Sequence, residues 1–135
     1  MSPMPTLFVC EANAGPSPLA EALARHVFPR ADVYSAGVYP SHVRPEVRRV
    51  LGERGVNAAG LRAKDTFAVP LDEVTLVVRI GLGAQDMRPP PHVRVVDWLI
   101  PDPASYPEDE RLDAYRAAAD ELERRIRALP EEDLR

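Results

Sequence analysis

Residues 6–20 read TLFVCEANAGPSPLA, and this stretch decides the fold. An apolar, partly β-branched run over residues 4–9 predicts a buried strand. The Pro-Ser-Pro sequence at 16–18 then supplies a stop, an N-cap candidate in Ser17 and a helix-compatible first position, and apolar residues follow at helical spacing. The sequence therefore predicts that Cys10 lies at the carboxyl end of a strand, at the start of a short loop that opens a helix.

A cysteine in this position is a candidate nucleophile. Loop N–H groups and a helix N-terminus direct the positive ends of their dipoles at the sulfur, which stabilises a thiolate and attracts anions. A lone cysteine is more commonly buried and inert, but strand, loop and helix start together favour the reactive interpretation. The anion is expected to meet the N–H groups of Glu11, Ala12, Asn13, Ala14 and Gly15.

The segment FVCEANAGPSPLAEAL at 8–23 resembles the active-site segment of the low-molecular-weight protein tyrosine phosphatases and the related thiol-coupled arsenate reductases. Those families carry cysteine, five residues, arginine, and then serine or threonine. The resemblance implies that Cys10 is the nucleophile, that Asn13 braces the loop and that the Ser17 hydroxyl stabilises the thiolate. Where the families have the arginine, this chain has Pro16.

The resemblance extends over nearly the whole chain. It continues in YSAG at 34–37, in GLRAK at 60–64 and in DWLIPDPA at 97–104. It implies that Asp102 is the general acid that protonates the leaving oxygen, although a turn or helix-start role also suits an aspartate between two prolines. The sequence of this last segment resembles the arsenate reductases more than the phosphatases.

Strand and helix patterns alternate along the rest of the chain. Strands are predicted at 32–35, 74–80 and 93–96, a helix at 44–54, and a final helix on an apolar stripe between Leu112 and Leu129. Alternation of this kind implies parallel strands covered by helices. Together with the resemblance it predicts a three-layer α/β fold, in which a four-stranded parallel sheet of order 2-1-3-4 has helices on both faces. Residues 1–135 are expected to form a single domain.

Composition excludes several classes of function. A net charge of -4 with scattered arginines provides no basic stripe for nucleic acid. No apolar run approaches membrane-spanning length, residues 1–8 lack the features of a signal peptide, and a single cysteine fits a reducing cytoplasm. His26, His42 and His92 lie far apart in sequence, so neither a metal site nor a cofactor is expected.

Pro16 leaves two interpretations open. An arginine holds two oxyanion oxygens at once, whereas proline offers no side-chain donor and lacks the backbone N–H. The first interpretation is a catalytically impaired relative that still binds an oxyanion (phosphate, arsenate or sulfate) or a phosphorylated ligand. The second is a working phosphatase for protein tyrosine phosphate, or an arsenate reductase that draws on an external thiol because Cys10 is the only cysteine.

The second interpretation needs an arginine from elsewhere in the chain. Arg79 is the best candidate, because it interrupts an apolar strand at the carboxyl end, where ligands collect in parallel sheets. An arginine at a strand end can also simply reach solvent. Arg62 is a weaker candidate.

Overall fold

Strands and α-helices alternate along the chain as far as the third strand, and a 3₁₀ turn connects the third strand to the fourth. The computed structural model describes residues 4–133. The elements, in chain order, are β1 (Thr6–Cys10), α1 (Pro16–Val27), β2 (Val33–Gly37), α2 (Pro45–Glu53), β3 (Leu76–Ile80), β4 (Arg94–Trp98) and α3 (Glu108–Asp133). Short 3₁₀ turns lie at Thr66–Ala68, Leu82–Asp86 and Pro103–Ser105.

The four strands form one parallel sheet of order β2-β1-β3-β4, which confirms the predicted order and direction. The strand β1 is central, and its five residues are all buried. A strand covered on both faces reads as a continuous apolar run, as residues 6–10 do. Because parallel strands end at one edge, Cys10 at the end of β1 lies at the edge where ligands bind in such sheets.

The two faces of the sheet are covered differently. Phe8 and Cys10 share a core with all three α-helices, including Leu23 of α1 and Leu122 of α3. On the other face, Leu7 and Val9 pack with residues next to or within the 3₁₀ turns at 66–68 and 82–86; these are Val69, Ala84 and Met87. Side chains alternate between the faces of a strand, so Cys10 projects to the α-helical side.

The start of α1 differs from the sequence prediction in one respect. The helix begins at Pro16, with Gly15 in the N-cap position and no side-chain cap, whereas Ser17 was the expected N-cap. Proline suits the first helical position because that N–H has no partner within the helix. The Ser17 hydroxyl is thus buried inside the first turn and is available to the loop rather than to the helix end.

The end of β2 approaches the loop so closely that only glycine fits at position 37. A Cβ on Gly37 would lie 2.6 Å from the Asn13 backbone nitrogen and 2.7 Å from the Ala12 carbonyl carbon. Because these are backbone atoms, the loop itself would have to move.

We expect Gly37→Ala to lower the free energy of unfolding by about 2–3 kcal/mol, the upper range for overpacked sites. Gly52→Ala is the matched control, because nothing lies within 4 Å of a Cβ there, and alanine in a helix is favoured over glycine by up to about 1 kcal/mol. Urea denaturation measures both. Equal stabilities for the two variants would contradict the close approach of strand and loop.

Candidate active site

The loop at 11–15 is held from outside by backbone hydrogen bonds. The carbonyl groups of four residues accept N–H groups from the segment 38–44: Cys10 from Val38 at 3.2 Å, Glu11 from Tyr39 at 2.7 Å, Ala12 from Ser41 at 3.0 Å and Ala14 from Arg44 at 2.9 Å. In a trans peptide the carbonyl and the following N–H point in opposite directions. Outward carbonyls therefore turn the N–H groups of residues 11, 12, 13 and 15 toward the inside of the loop.

The N–H groups of residues 11–15 donate no hydrogen bond to any residue in the range 4–133. A run of N–H dipoles that converge without an acceptor is a concave site of positive potential for an anion. The N-terminus of the 12-residue helix α1 follows at once and adds to that potential. The geometry thus turns the N–H groups of Glu11, Ala12, Asn13 and Gly15 into one concave site, which is four of the five residues that the sequence indicated as anion-binding.

The Cys10 sulfur is the end of a chain of side-chain hydrogen bonds. Ser17 Oγ lies 2.9 Å from Cys10 Sγ, and Asn13 Nδ2 donates to Ser17 Oγ at 2.8 Å. Since Ser17 accepts from the amide, its single hydrogen can be donated either to the sulfur or to the Ala36 carbonyl, which lies 3.4 Å away. The contact with the sulfur is the shorter of the two. A donor beside the sulfur stabilises the thiolate, which is the nucleophilic form of cysteine.

Asn13 also braces the loop against the rest of the fold. Its backbone has a φ of 47°, in the left-handed region that asparagine tolerates. Nδ2 donates to Ser35 Oγ at 3.0 Å, and Oδ1 accepts the Lys64 N–H at 3.0 Å. Ser35 in turn donates to the buried carboxylate of Glu21 at 2.5 Å. Hydrogen bonds therefore connect Lys64 and Glu21, through the side chains of Asn13, Ser35 and Ser17, to the Cys10 sulfur.

Two cations compensate the buried Glu21 carboxylate. Arg25 forms an ion pair with Glu21 Oε2, and Lys64 Nζ lies 3.6 Å from Oε1. Burial lowers the pKa of Lys64 from its ordinary value, while the carboxylate opposes that shift. A buried carboxylate keeps its charge only when it is paired in this way.

A cavity of about 550 Å³ opens above the thiol, between the loop and the ends of β3 and β4. Its polar lining includes Cys10, Asp102, Arg44 and Tyr115, and its apolar lining includes Leu82, Leu99, Ile100 and Pro101. Glu11 lines it as an exposed side chain that packs against Gly83, where a Cβ would lie only 2.6 Å away. The thiol itself is almost covered, at 4% exposed.

Asp102 lies at the mouth of the cavity and is exposed. Its Oδ1 accepts the Ala104 N–H at 3.0 Å, which makes it the N-cap of the 3₁₀ turn Pro103–Ser105. The capping role and the cavity position are compatible, because a carboxylate has a second oxygen that remains available.

Arg79 does not join the other candidates, which corrects the interpretation of this residue as the surrogate arginine. It is aligned with Val9 in the parallel register, so it projects to the face opposite to Cys10. There its guanidinium donates to Asp97 at 2.7 and 3.0 Å and to the Met87 carbonyl at 3.3 Å. Arg62 is exposed and does not line the cavity either.

Among the residues that line the cavity, sequence reasoning missed the polar side chains of Arg44 and Tyr115. Arg44 precedes α2, and its own N–H is one of the donors that hold the loop. Tyr115 belongs to the apolar stripe of α3, which predicted only packing. Neither position carries a local signal, because only the tertiary fold brings them to Cys10.

Within residues 4–133 there is no group of three histidine, cysteine or acidic residues arranged to hold a metal ion. In the same range, no helix has both the length and the apolar character needed to cross a membrane.

Comparison with known proteins gives one consistent result. The model of the low molecular weight phosphotyrosine protein phosphatase family matches residues 6–135. An arsenate reductase of Bacillus licheniformis is 29% identical over 136 residues, which cover 97% of this chain and 98% of that protein. A protein-arginine-phosphatase of Geobacillus stearothermophilus is 34% identical over 146 residues, covering 96% and 95%.

Solved structures agree with these relatives. An arsenate reductase from Archaeoglobus fulgidus superposes with a TM-score of 0.78 at 32% identity, covering 92% of this chain and 97% of that chain. The similar proteins thus include reductases and a phosphatase over their full length, and overall similarity does not separate the two activities.

We expect iodoacetamide to alkylate Cys10 near neutral pH, and Ser17→Ala to slow that reaction about tenfold. The reason is that a hydrogen bond to a charged group contributes about 1.5–3 kcal/mol, here to the reactive thiolate. Intact-protein mass spectrometry follows the single modification. Ser41→Ala, an exposed side chain on the segment that holds the loop, is the control and should react like the wild type. A native thiol that stays unmodified would show that Cys10 is only structural.

Proposed function

This chain belongs to the low-molecular-weight phosphotyrosine protein phosphatase family, and on that premise we propose that it binds an oxyanion or a phosphorylated ligand at Cys10 with severely impaired turnover. The observation that carries the proposal is the composition of the loop. The unpaired N–H groups of residues 11–15 and the Ser17 hydroxyl remain, while Pro16, buried on the cavity wall, has neither a guanidinium nor an N–H.

The size of the loss supports binding without efficient catalysis. Removing one donor to a transition-state oxyanion costs about 3–4 kcal/mol. A bidentate arginine and one N–H together are worth roughly 5–10 kcal/mol, or about four to seven decades in rate. Binding of the ground-state anion depends less on the missing guanidinium, because the backbone conformation of the loop alone determines where its N–H groups point.

The family chemistry defines what would be lost. In a phosphatase the Cys10 thiolate attacks phosphorus, Asp102 gives its proton to the leaving oxygen, and water then cleaves the cysteinyl phosphate. In an arsenate reductase the thiolate attacks arsenate, and two further thiols supply the electrons that release arsenite as they become a disulfide. Cys10 is the only cysteine of this chain, so any reductase activity would depend on external thiols.

The second candidate function is an active phosphatase or external-thiol-dependent arsenate reductase that obtains its arginine from another element. The presence of Arg44 on the cavity wall favours it. The two candidates differ in turnover, which is directly measurable.

We expect the wild type to show no or very weak hydrolysis of p-nitrophenyl phosphate and no or very weak arsenate reduction, with or without added dithiothreitol. Pro16→Arg should raise the hydrolysis at least about a hundredfold, because one oxyanion donor is worth 10²–10³ in rate. Restoration should remain partial, since Glu11 still places a negative charge beside the site.

The control is the double variant Cys10→Ser with Pro16→Arg, in which the gained activity should disappear. Robust wild-type turnover in either assay would refute the impairment and select the second candidate.

Asp102 is tested in the Pro16→Arg background. A general acid matters most when the leaving group is a poor one, and acid catalysis contributes about 10²–10⁴ in rate. Asp102→Asn should therefore reduce the hydrolysis of phenyl phosphate at least tenfold more than that of p-nitrophenyl phosphate. Equal losses on both substrates would leave Asp102 with the capping role alone.

A further inference from the structure

Arg44 is attached to the anion loop through its backbone and faces the same cavity through its side chain. Its N–H donates to the Ala14 carbonyl at 2.9 Å, and the residue lines the cavity above Cys10. The guanidinium also interacts electrostatically with Tyr115 and Asp102, both of which line the same space. A positive charge is therefore held at the cavity by the residue that precedes α2, although residues 11–16 of the loop carry none.

The Arg44 side chain retains donor capacity for a ligand. Its hydrogen bonds to Glu46 are long, at 3.3 and 3.4 Å, and involve Nε and Nη2. The guanidinium has five N–H donors, so those on Nη1 are not used by that pair. A long, part-exposed pair of this kind is weak, and an anion in the cavity can compete with it.

Tyr115 is an independent sign of a polar ligand. The side chain is fully buried, and its hydroxyl is one of the few buried polar groups in the range 4–133 that have no hydrogen-bond partner. Buried hydroxyl groups nearly always have a partner, so an orphan at a cavity wall calls for an explanation. Burial raises the pKa of Tyr115 above its ordinary value, so the phenol stays protonated and can donate to an anion.

Gly15 controls the access to that hydroxyl. A Cβ at this position would lie 2.9 Å from the Tyr115 oxygen, so any larger residue in the loop would displace the tyrosine. Because glycine has no side chain, no side-chain atom at this position separates the hydroxyl from the cavity that both residues line. Pro16 stands where the family has an arginine, and the neighbouring Gly15 leaves the space that the Tyr115 hydroxyl needs.

We propose that Arg44 and Tyr115 bind the oxyanion group of an organic ligand in the Cys10 cavity, in place of the guanidinium that Pro16 removes. The inference rests on the oxyanion-binding part of the proposed function, which concerns the bound ligand and not its turnover, and it names the residues and ligand class for that site. The guanidinium supplies the charge and the phenol a neutral donor, while the N–H groups of the loop hold the remaining oxygens. The organic part of the ligand lies against Leu82 and Leu99, which line the same cavity and are 78% and 72% exposed.

Two probes that cannot be turned over test the proposal: inorganic phosphate and phenylphosphonate. Each is titrated against the amide resonances of ¹⁵N-labelled protein. We expect the wild type to bind phosphate at millimolar concentration, and phenylphosphonate about tenfold more tightly because its ring covers apolar surface. Arg44→Gln and Tyr115→Phe should each weaken phosphate binding about tenfold, as expected for a charge-assisted hydrogen bond.

Matched controls separate these effects from general changes of charge or packing. Arg49→Gln removes an exposed arginine of α2, the helix that Arg44 precedes, where Arg49 pairs with Glu53. Tyr34→Phe removes a hydroxyl from the opposite face of the sheet. Both should bind phosphate like the wild type. Thermal unfolding shows whether each variant is folded, and Tyr115→Phe keeps the ring that fills the core.

Absence of phosphate binding in the wild type at millimolar concentration would overturn the proposal. So would wild-type affinity in either Arg44→Gln or Tyr115→Phe, because the assignment requires both donors. Equal loss in Arg49→Gln would show that net charge, not Arg44, is responsible. These titrations involve no turnover, so they are independent of the Pro16→Arg assays: robust wild-type hydrolysis would refute impairment and leave the binding pair to be decided by affinity.

Discussion

The site depends on the backbone hydrogen bonds that the segment 38–44 donates to the carbonyl groups of the loop. These bonds fix the direction of each peptide group, and a peptide that presents its carbonyl outward presents its N–H inward. The positive potential around Cys10 is therefore a consequence of how β2 leaves the sheet. Gly37 belongs to the same constraint, because β2 and the loop approach each other so closely that no side chain fits between them.

This constraint explains how the fold tolerates the loss of the loop arginine. Pro16 is the first residue of α1, where an N–H has no acceptor within the helix, so proline costs the helix nothing. The carbonyl bonds of the loop involve other peptide groups and are unaffected. An anion, in contrast, loses a guanidinium and an N–H at once. Pro16 therefore leaves the stability of the fold unchanged while it removes donors from the anion site. The result is a folded domain with an altered site.

Local sequence predicted the parts of the site that are local. The strand, the loop and the helix start follow from residues 6–20, and the sheet order follows from the alternation of elements and the family resemblance. Arg79 shows where this reasoning ends. Its position at a strand end was read correctly, but its face depends on the register of β3 against β1, which pairs it with Val9 rather than with Cys10. A shift of one residue would have reversed that result.

Arg44 and Tyr115 were out of reach for a related reason. Arg44 lies at the start of α2 and Tyr115 lies on the apolar stripe of α3, so the sequence around each residue indicates only the helix. Both residues come close to Cys10 because elements that are distant in sequence pack together. Tyr115 lies on the buried face of α3, and its hydroxyl lies next to Gly15. The residue at position 15 of the loop and the residue at position 115 of the last helix therefore constrain each other. A single change at position 16 consequently alters only one part of a site to which the first loop, the residue before α2 and the helix α3 all contribute. The chemistry of this cavity is a property of those elements together.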